Sequence, residues 1–438
     1  MLAPLLAVIV CLTPPPTTQR TSPYDVLDRS WAPYLSKDDP SAFAMKIRAV
    51  SASPRALWGG GKELFFIWCR SNCADWLAQR DRYSICHGDV HFGNMGVYAS
   101  NEGFGRLGVG LVDFDESSPM PSEIDLLQAC ISLRLMSQMF GLTEDQQLVL
   151  CQDLLTGYQR GAKSDGRAID LLADDPLVKT LLKAGTQHTY QQALDLVTDG
   201  NGKFRRVIMK QDAIREILRP AMDRADELSA AIAEALHRSP ELVNCLRPMD
   251  ASEVRRSIKD IALRTRIGSA GSQGLEKIFV LLDRPFLGED HDGILYLKQE
   301  VVPAPQRAGM TPKDPRSPGQ RVAEAAATLC DPEPLVNGWC DAGGRSYWMT
   351  LLEVWSGELE DVRPEGFDDI KSLARIGGMI LGTAHRSAAA SNVDAAILNR
   401  LSGEYYAVLV EQYEALRGDP RTLERIQEAE AFIESMKR

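Results

Sequence analysis

Two short apolar runs, residues 83–86 and 108–112, each end in a dense knot of polar groups. The first is followed by His87-Gly88-Asp89-Val90-His91-Phe92-Gly93-Asn94, the second by Asp113-Phe114-Asp115-Glu116. A strand inside a core has no use for so much Asp, Asn and His, because buried charge is costly unless it is paired or bound to a metal. The chain must therefore fold so that both knots reach the rim of a cleft while the runs between them stay covered. With 438 residues, 44% of them hydrophobic and 25% charged, it has the apolar material to do so. That composition excludes collagen-like, low-complexity and largely disordered classes, and the length suits two or three domains or one bilobed enzyme.

The remaining pattern alternates in blocks. Trp58-Gly59-Gly60-Gly61 breaks the chain ahead of an apolar helix over residues 63–77. From residue 124 to about 246 the spacing is helical, with a wide apolar face from Leu126 to Leu135. Near Arg264 strand signals take over, at 277–282, 293–298 and 347–355, with a helix at 320–329 between the last two; residues 370–438 return to helix. Helix-rich and strand-rich blocks side by side predict an α+β protein with two lobes. The expected division is a disordered leader over 1–22, a helical lobe with the polar knots over 23–262, a strand-rich lobe over 263–360, and helices over 361–438 that complete the helical lobe. Residues 2–12 are apolar but short for a membrane span, which takes about 20 residues, and lack the basic start of a signal peptide. A soluble, cytoplasmic protein is expected, with a signal or anchor at 2–12 as the alternative. The balance of 49 Lys and Arg against 60 Asp and Glu argues against a surface built to grip nucleic acid or an anionic membrane. Nine scattered cysteines read as reduced thiols, with the Cys69/Cys73 pair in the core.

The chemistry that needs these polar residues at these spacings is phosphoryl transfer. Asp89 would orient and deprotonate an attacking hydroxyl. Asn94, five positions on, and Asp113 would hold Mg²⁺ against the phosphates of ATP. The spacing equals that of the kinase catalytic loop, with Asp-Phe after the next strand standing where the metal-binding Asp belongs. His87 is expected to hydrogen-bond the backbone beside that Asp. His91 is expected to brace the loop or to contact the substrate, and Asp115 to stand behind the metal ligands or to be a solvated acid. Asp125 is expected to be a helix N-terminal charge that in the kinase reading also braces the loop.

On these residues, and on Glu123-Ile124-Asp125-Leu126, the chain resembles small-molecule kinases of the aminoglycoside phosphotransferase type. It is still more similar to the kinase-like family called domain of unknown function 2252, in which the glycine-rich loop follows the catalytic segment. The resemblance spans most of residues 50–390 and implies a protein-kinase-like bilobed fold in permuted order, acting on a small-molecule acceptor. Gly268, Gly271 and Gly274, spaced G-x-x-G-x-x-G rather than G-x-G-x-x-G, would cover the nucleotide. Lys298, with Lys277 as its rival, would pair the phosphates and Glu324 would orient it. Glu353-Val354-Trp355 would line the adenine. The family's Arg-Gly is Trp58-Gly59 here, so the role of that Arg has no residue in this chain.

Two other functions fit part of the pattern. His87-x-Asp89-x-His91 also reads as a compact metal triad of a hydrolase. The same kinase-like pocket would serve a pseudokinase that binds nucleotide without transfer, or a nucleotidyl transferase with ATP inverted. The basic stretch from Lys203-Phe204-Arg205-Arg206 to Lys210 is expected to be a solvated face, with contact to an anionic substrate as the alternative.

Overall fold

A computed structural model describes residues 21–35, 41–103, 105–186, 189–210, 213–238, 249–266, 274–283, 292–352, 356–386 and 393–435. The leader expected over 1–22 lies almost wholly outside these residues, as do Gly268, Gly271 and Glu353-Val354-Trp355. Among the described residues no helix is long and apolar enough to cross a membrane, and the cysteines are buried and outside any disulfide, Cys69 and Cys73 included.

The protein is a mixed α+β structure whose sheets are all antiparallel. The largest has seven strands in the order Gly338–Ala342, Arg345–Leu351, Gly293–Glu300, Lys277–Leu282, Ile258–Arg266, Ala213–Pro220 and Val207–Lys210. Its central strands Lys277–Leu282 and Gly293–Glu300 are buried on both faces. Helix Pro318–Leu329 packs on the strand Arg345–Leu351, and helix Ala225–Arg238 packs on Gly338–Ala342.

The helical part is built on Ser122–Gln138, Glu144–Ala162, Phe367–Ala384 and Ala395–Gly418. Phe367–Ala384 lies against Glu144–Ala162, and Ala395–Gly418 against Ser122–Gln138. The approach of the first pair is set by glycine. A Cβ on Gly378 would meet the Leu154 carbonyl oxygen at 2.0 Å, and one on Gly157 would meet that of Arg375 at 2.2 Å.

Two small sheets carry the polar knots. Ser84–Cys86 pairs with Ser118–Met120, and Met95–Ala99 lies between Leu107–Leu111 and Gly357–Glu358. A strand at 95–99 was not expected. Its residues Met95, Gly96, Val97 and Tyr98 are all buried, so it shows none of the alternation that marks a half-covered strand.

The helical reading of 124–246 fails at residues 207–220, which form the hairpin Val207–Lys210 and Ala213–Pro220. Glu216 and Leu218 are buried while Ile217 between them is half-buried and Arg219 after them is exposed, the period of two that a strand gives. Glu216 takes both ends of the Arg264 guanidinium from the neighbouring strand, at 2.7 and 2.8 Å. The large sheet thus begins well before Arg264, and the division at 262/263 falls inside the strand Ile258–Arg266. The basic stretch is only partly a solvated face. Arg205 and Arg206 are exposed, whereas Phe204 is buried against Phe279. The helix at 63–77 is interrupted at Cys73, giving Lys62–Asn72 and Ala74–Leu77.

Candidate active site

The loop 87–94 is held from behind by its backbone. The Asp125 carboxylate, in the first turn of helix Ser122–Gln138, accepts the His87 amide at 2.7 Å and the Gly88 amide at 3.0 Å. One turn on, Gln128 accepts the Val90 amide at 3.0 Å and donates to the Gly88 carbonyl at 2.8 Å. Gly88 has φ +78°, and a Cβ there would lie 2.2 Å from the Glu116 carbonyl oxygen. Only glycine permits this close, left-handed pass.

His385 Nε2 donates to Asp125 at 3.1 Å from the end of helix Phe367–Ala384. Burial alone would raise the Asp125 pKa. The His385 hydrogen bond and the amides outweigh it and hold the carboxyl below its ordinary range. Asp125 thus supports the loop as expected, while Gln128 has no marker in the sequence, since an amide on a helix is ordinarily a surface residue.

His87 acts as the sequence suggests, with Nε2 donating to the Val112 carbonyl at 2.8 Å, next to Asp113. Its Nδ1 accepts the Asp89 amide at 3.2 Å. His91 turns its own Nδ1 to the Gly93 amide at 3.1 Å, leaving Nε2 3.7 Å from Asp89 Oδ1. Burial pushes the His91 pKa down to about 4, so its ring is neutral at pH 7. Three of the four ring nitrogens of the His-x-Asp-x-His segment are therefore engaged within the protein. Among the described residues the one group of three ligand atoms close enough for a metal is Cys86, Asp125 and His385, where Asp125 is already hydrogen-bonded.

Asp89 faces Lys62, which the sequence reading missed. Lys62 is almost wholly buried, pairs with the Asp89 carboxylate, and lies 3.8 Å from the centre of the Trp58 ring. The Trp-Gly-Gly-Gly break thus ends in a cation delivered to Asp89. Asn94 donates from Nδ2 to the Asp89 carbonyl at 2.9 Å, which leaves its amide oxygen uncommitted by that bond.

Asp113 has φ +66° and is the one non-glycine residue with positive φ among those described. Such strain is uncommon, is tolerated best by Asp and Asn, and clusters at functional sites. The Asp113 side chain is 47% exposed and pairs with Lys298, which also donates to Asp115 at 2.6 Å. The protein packed around the inner side of Asp113 works to raise its pKa, but Lys298 overrides it and the group is held low. Asp115 is driven up, by burial first and then by the Asp113 charge.

The cluster stands at the junction of two clefts that share Gly93, Asn94, Asp113 and Glu358. One, of about 400 Å³, is lined by Arg264, Lys277 and Lys298 together with Tyr296, Trp348 and Leu352. Lys277 lies directly across the strand pair from Lys298. Burial, helped by the Lys298 charge, lowers its pKa to about 8. The other, of about 340 Å³, is rimmed by carboxylates, among them Glu63, Asp89, Glu116 and Glu300, with Trp31 on its wall and Lys62 the cation in its lining.

A family model described as an uncharacterized protein conserved in bacteria, DUF2252, matches residues 38–415. The chain belongs to the DUF2252 family. No curated protein and no solved structure matches it. In this DUF2252 protein Asp89, Asn94, Asp113, Asp115 and Lys298 come together, with His87, His91 and Asp125 around them.

Glu324 does not join them. Its carboxylate takes Arg316 at 2.7 Å and Gln320 at 2.8 Å, half exposed on the outer face of its helix. The residue of helix Pro318–Leu329 that reaches the site is Arg321, which is buried. It donates to the carbonyls of Asp115 (2.8 Å), Ser117 (2.7 Å) and Val301 (3.1 Å). An Arg three residues from the expected Glu was invisible to a search for acids. Gly274 has φ +87°, and a Cβ there would meet Leu35 and Ala42 side chains at 2.4 and 2.9 Å. It packs against Leu35 and against Ala42 of helix Ser41–Val50, and its neighbour Leu275 lines the acidic cleft.

Proposed function

We propose that this chain is a magnesium-dependent phosphotransferase that moves the γ-phosphate of ATP to a hydroxyl of a small molecule. The observation that carries the reading is the meeting of Asp89, Asn94, Asp113 and Lys298 where a cation- and aromatic-lined cleft opens into an acid-lined one. Opposite linings on the two sides of one reaction point suit a polyanionic donor on one side and a different acceptor on the other. In this reading the seven-stranded sheet with helix Pro318–Leu329 is the nucleotide lobe of a bilobed, protein-kinase-like fold. The helical part is the second lobe, and the catalytic segment precedes the nucleotide lobe in the chain.

The oxygen donors of Asn94 and Asp113 fit Mg²⁺, a hard cation that takes few protein ligands. Asn94 has its amide nitrogen committed to the Asp89 carbonyl, and Asp113 opens into the shared rim. Bound there, the ion would offset phosphate charge. Asp89 takes the proton of the acceptor hydroxyl as that oxygen forms its bond to the γ-phosphorus. The bond from phosphorus to the bridging oxygen breaks, and ADP leaves with the electron pair. Lys62 sets the orientation of Asp89, and Lys298 neutralises charge developing on the phosphate oxygens. Catalysis of this kind is positioning plus electrostatics.

The test compares thermal unfolding of wild type and Asp113→Ala with and without Mg²⁺ and ATP, followed by ADP formation. A ligand bound only by the folded state adds about 2.7 kcal/mol at 100 times its dissociation constant. A Mg²⁺-dependent rise in wild type that is lost in the variant is expected. No rise at millimolar Mg²⁺ and ATP, or an equal rise in both proteins, overturns the reading.

A further inference from the structure

Glu300 ends the strand Gly293–Glu300 on the wall of the acid-lined cleft, 4% exposed. Its Oε1 is buried and accepts no hydrogen bond among the described residues. Glu63 Oε2 and Asp89 Oδ1 in the same cleft also accept no hydrogen bond among the described residues. Each of the other carboxylates lining the cleft nevertheless faces a cation or a backbone donor within the protein, and among the described residues Glu300 alone of them has no ion pair or cap. Lys62 faces Asp89, Lys298 holds Asp113 and Asp115, and Arg55 faces Glu360. Arg307 lies between Glu63 and Glu116, and the Glu358 carboxylate caps the short helix that follows it. The cation nearest Glu300 by sequence, Lys298, is spent on the two Asp residues. Arg321, close enough to act on Glu300 electrostatically, spends its terminal N–H groups on backbone carbonyls and the Ser117 hydroxyl.

A buried carboxyl oxygen that accepts nothing is unfavourable in the empty protein. Burial, then the Asp115 charge, push the Glu300 pKa well up, so that its charged form waits on a cation. A bound donor removes that penalty, and the donor that also suits the surrounding acids carries positive charge. Trp31 adds to the case. It lines the same cleft, is 4% exposed, and its indole N–H has no acceptor among the described residues, which leaves a donor for a ligand hydroxyl. Phosphate or carboxylate in the same space would meet the acids directly.

We propose that the acid-lined cleft binds an amino alcohol, with Glu300 accepting from its ammonium group. The proposal rests on the phosphotransferase reading for the fate of the hydroxyl, and on the cleft alone for the charge of the ligand.

The experiment uses three probes of one length on the full chain without nucleotide: 3-aminopropan-1-ol, 1,3-propanediol and 3-hydroxypropanoate. Ligand-observed saturation-transfer NMR, titrated at physiological salt, gives each affinity. In wild type the amine binds at least tenfold more tightly than the diol or the acid. In Glu300→Gln it weakens at least tenfold, while in Asp145→Asn, changed on an exposed helix start away from both clefts, it is unaltered. Equal or tighter binding of the diol or acid to wild type overturns the proposal without recourse to any variant. So does amine binding that survives Glu300→Gln. If that variant instead raises only the Mg²⁺ concentration needed for the ATP-dependent thermal shift, Glu300 serves the metal and the proposal also falls. Amine binding that depends on Glu300 in a protein showing no ATP-dependent shift sinks the phosphotransferase reading and leaves this one standing.

Discussion

Asp125 shows how much one carboxylate can organise. It receives two backbone amides of the loop 87–94 and the ring of His385, from a position with no exposure to water. Asp125→Asn places an N–H donor where donors already converge. The expected loss is about 3–5 kcal/mol, the range for breaking a buried charged cluster from one side. The sign with pH follows from its depressed pKa. The folded value lies below the unfolded one, near 3.9, so the contribution is whole above that value and disappears as pH falls through the folded pKa. In urea titrations the gap between wild type and Asp125→Asn should be constant from pH 7 to about 5 and close below about pH 4. A gap that stays constant down to pH 3, or widens, contradicts the assignment. At this scale the sequence was legible where the chemistry is local. Asp89, Asn94 and Asp113 stand at fixed spacings in two short segments. Lys62, Gln128, Glu300 and Arg321 reach the same place from four other elements as single residues of common type. Their burial, which makes them functional candidates, exists only after folding.

Among elements, the contact between helices Glu144–Ala162 and Phe367–Ala384 is the tightest test of packing. Gly157 and Gly161 on one helix and Gly378 and Gly382 on the other each bring backbone where a Cβ would be, with added-atom distances of 2.0 to 2.3 Å to carbonyl oxygens. Backbone cannot yield as a flexible side chain can, so Gly378→Ala should destabilise by about 1–3 kcal/mol, despite the better helix propensity of Ala. Gly418→Ala, with nothing within 4 Å of the added atom, should be neutral or gain up to about 1 kcal/mol. Parallel chemical denaturation of the two variants reads the difference, and equal midpoints would deny the close approach. Element type was legible where an amphipathic pattern ran long, as in Pro318–Leu329 and the C-terminal helices. It was not legible for Met95–Ala99, which is covered on both faces. Nor was it for the hairpin at 207–220, whose partner strand Ile258–Arg266 lies some 50 residues on. Local pattern cannot encode a partner that distant.

For the molecule as a whole, the question is what ties the large sheet to the helices that carry the loop 87–94. Besides Lys298 and Arg321, the tie is Arg307, on the short helix Ala304–Arg307 just after the strand Gly293–Glu300. It is buried between Glu63 of helix Lys62–Asn72 and Glu116 of the loop after Asp113, and its guanidinium lies 4.8 Å from the Trp31 ring centre. Burial opposes its charge, but the two glutamates prevail and raise its pKa. The sequence predicted lobes but not this joint, because it is made of three charged residues that alone read as surface. Removing one partner of a buried pair leaves the other charge stranded, so Arg307→Met should cost about 3–5 kcal/mol. Removing Glu63 as well, in Glu63→Gln/Arg307→Met, relieves part of that penalty. The double variant should then be more stable than the sum of the singles predicts, by about 0.5–3 kcal/mol, the range for directly coupled residues. Because the pair joins sheet to helices, the cycle should give the same coupling whether unfolding is followed by tryptophan fluorescence or by far-UV circular dichroism. Additivity within about 0.5 kcal/mol would show that the two parts are held by the Lys298 and Arg321 contacts without Arg307. Different couplings from the two probes would show that sheet and helices unfold separately.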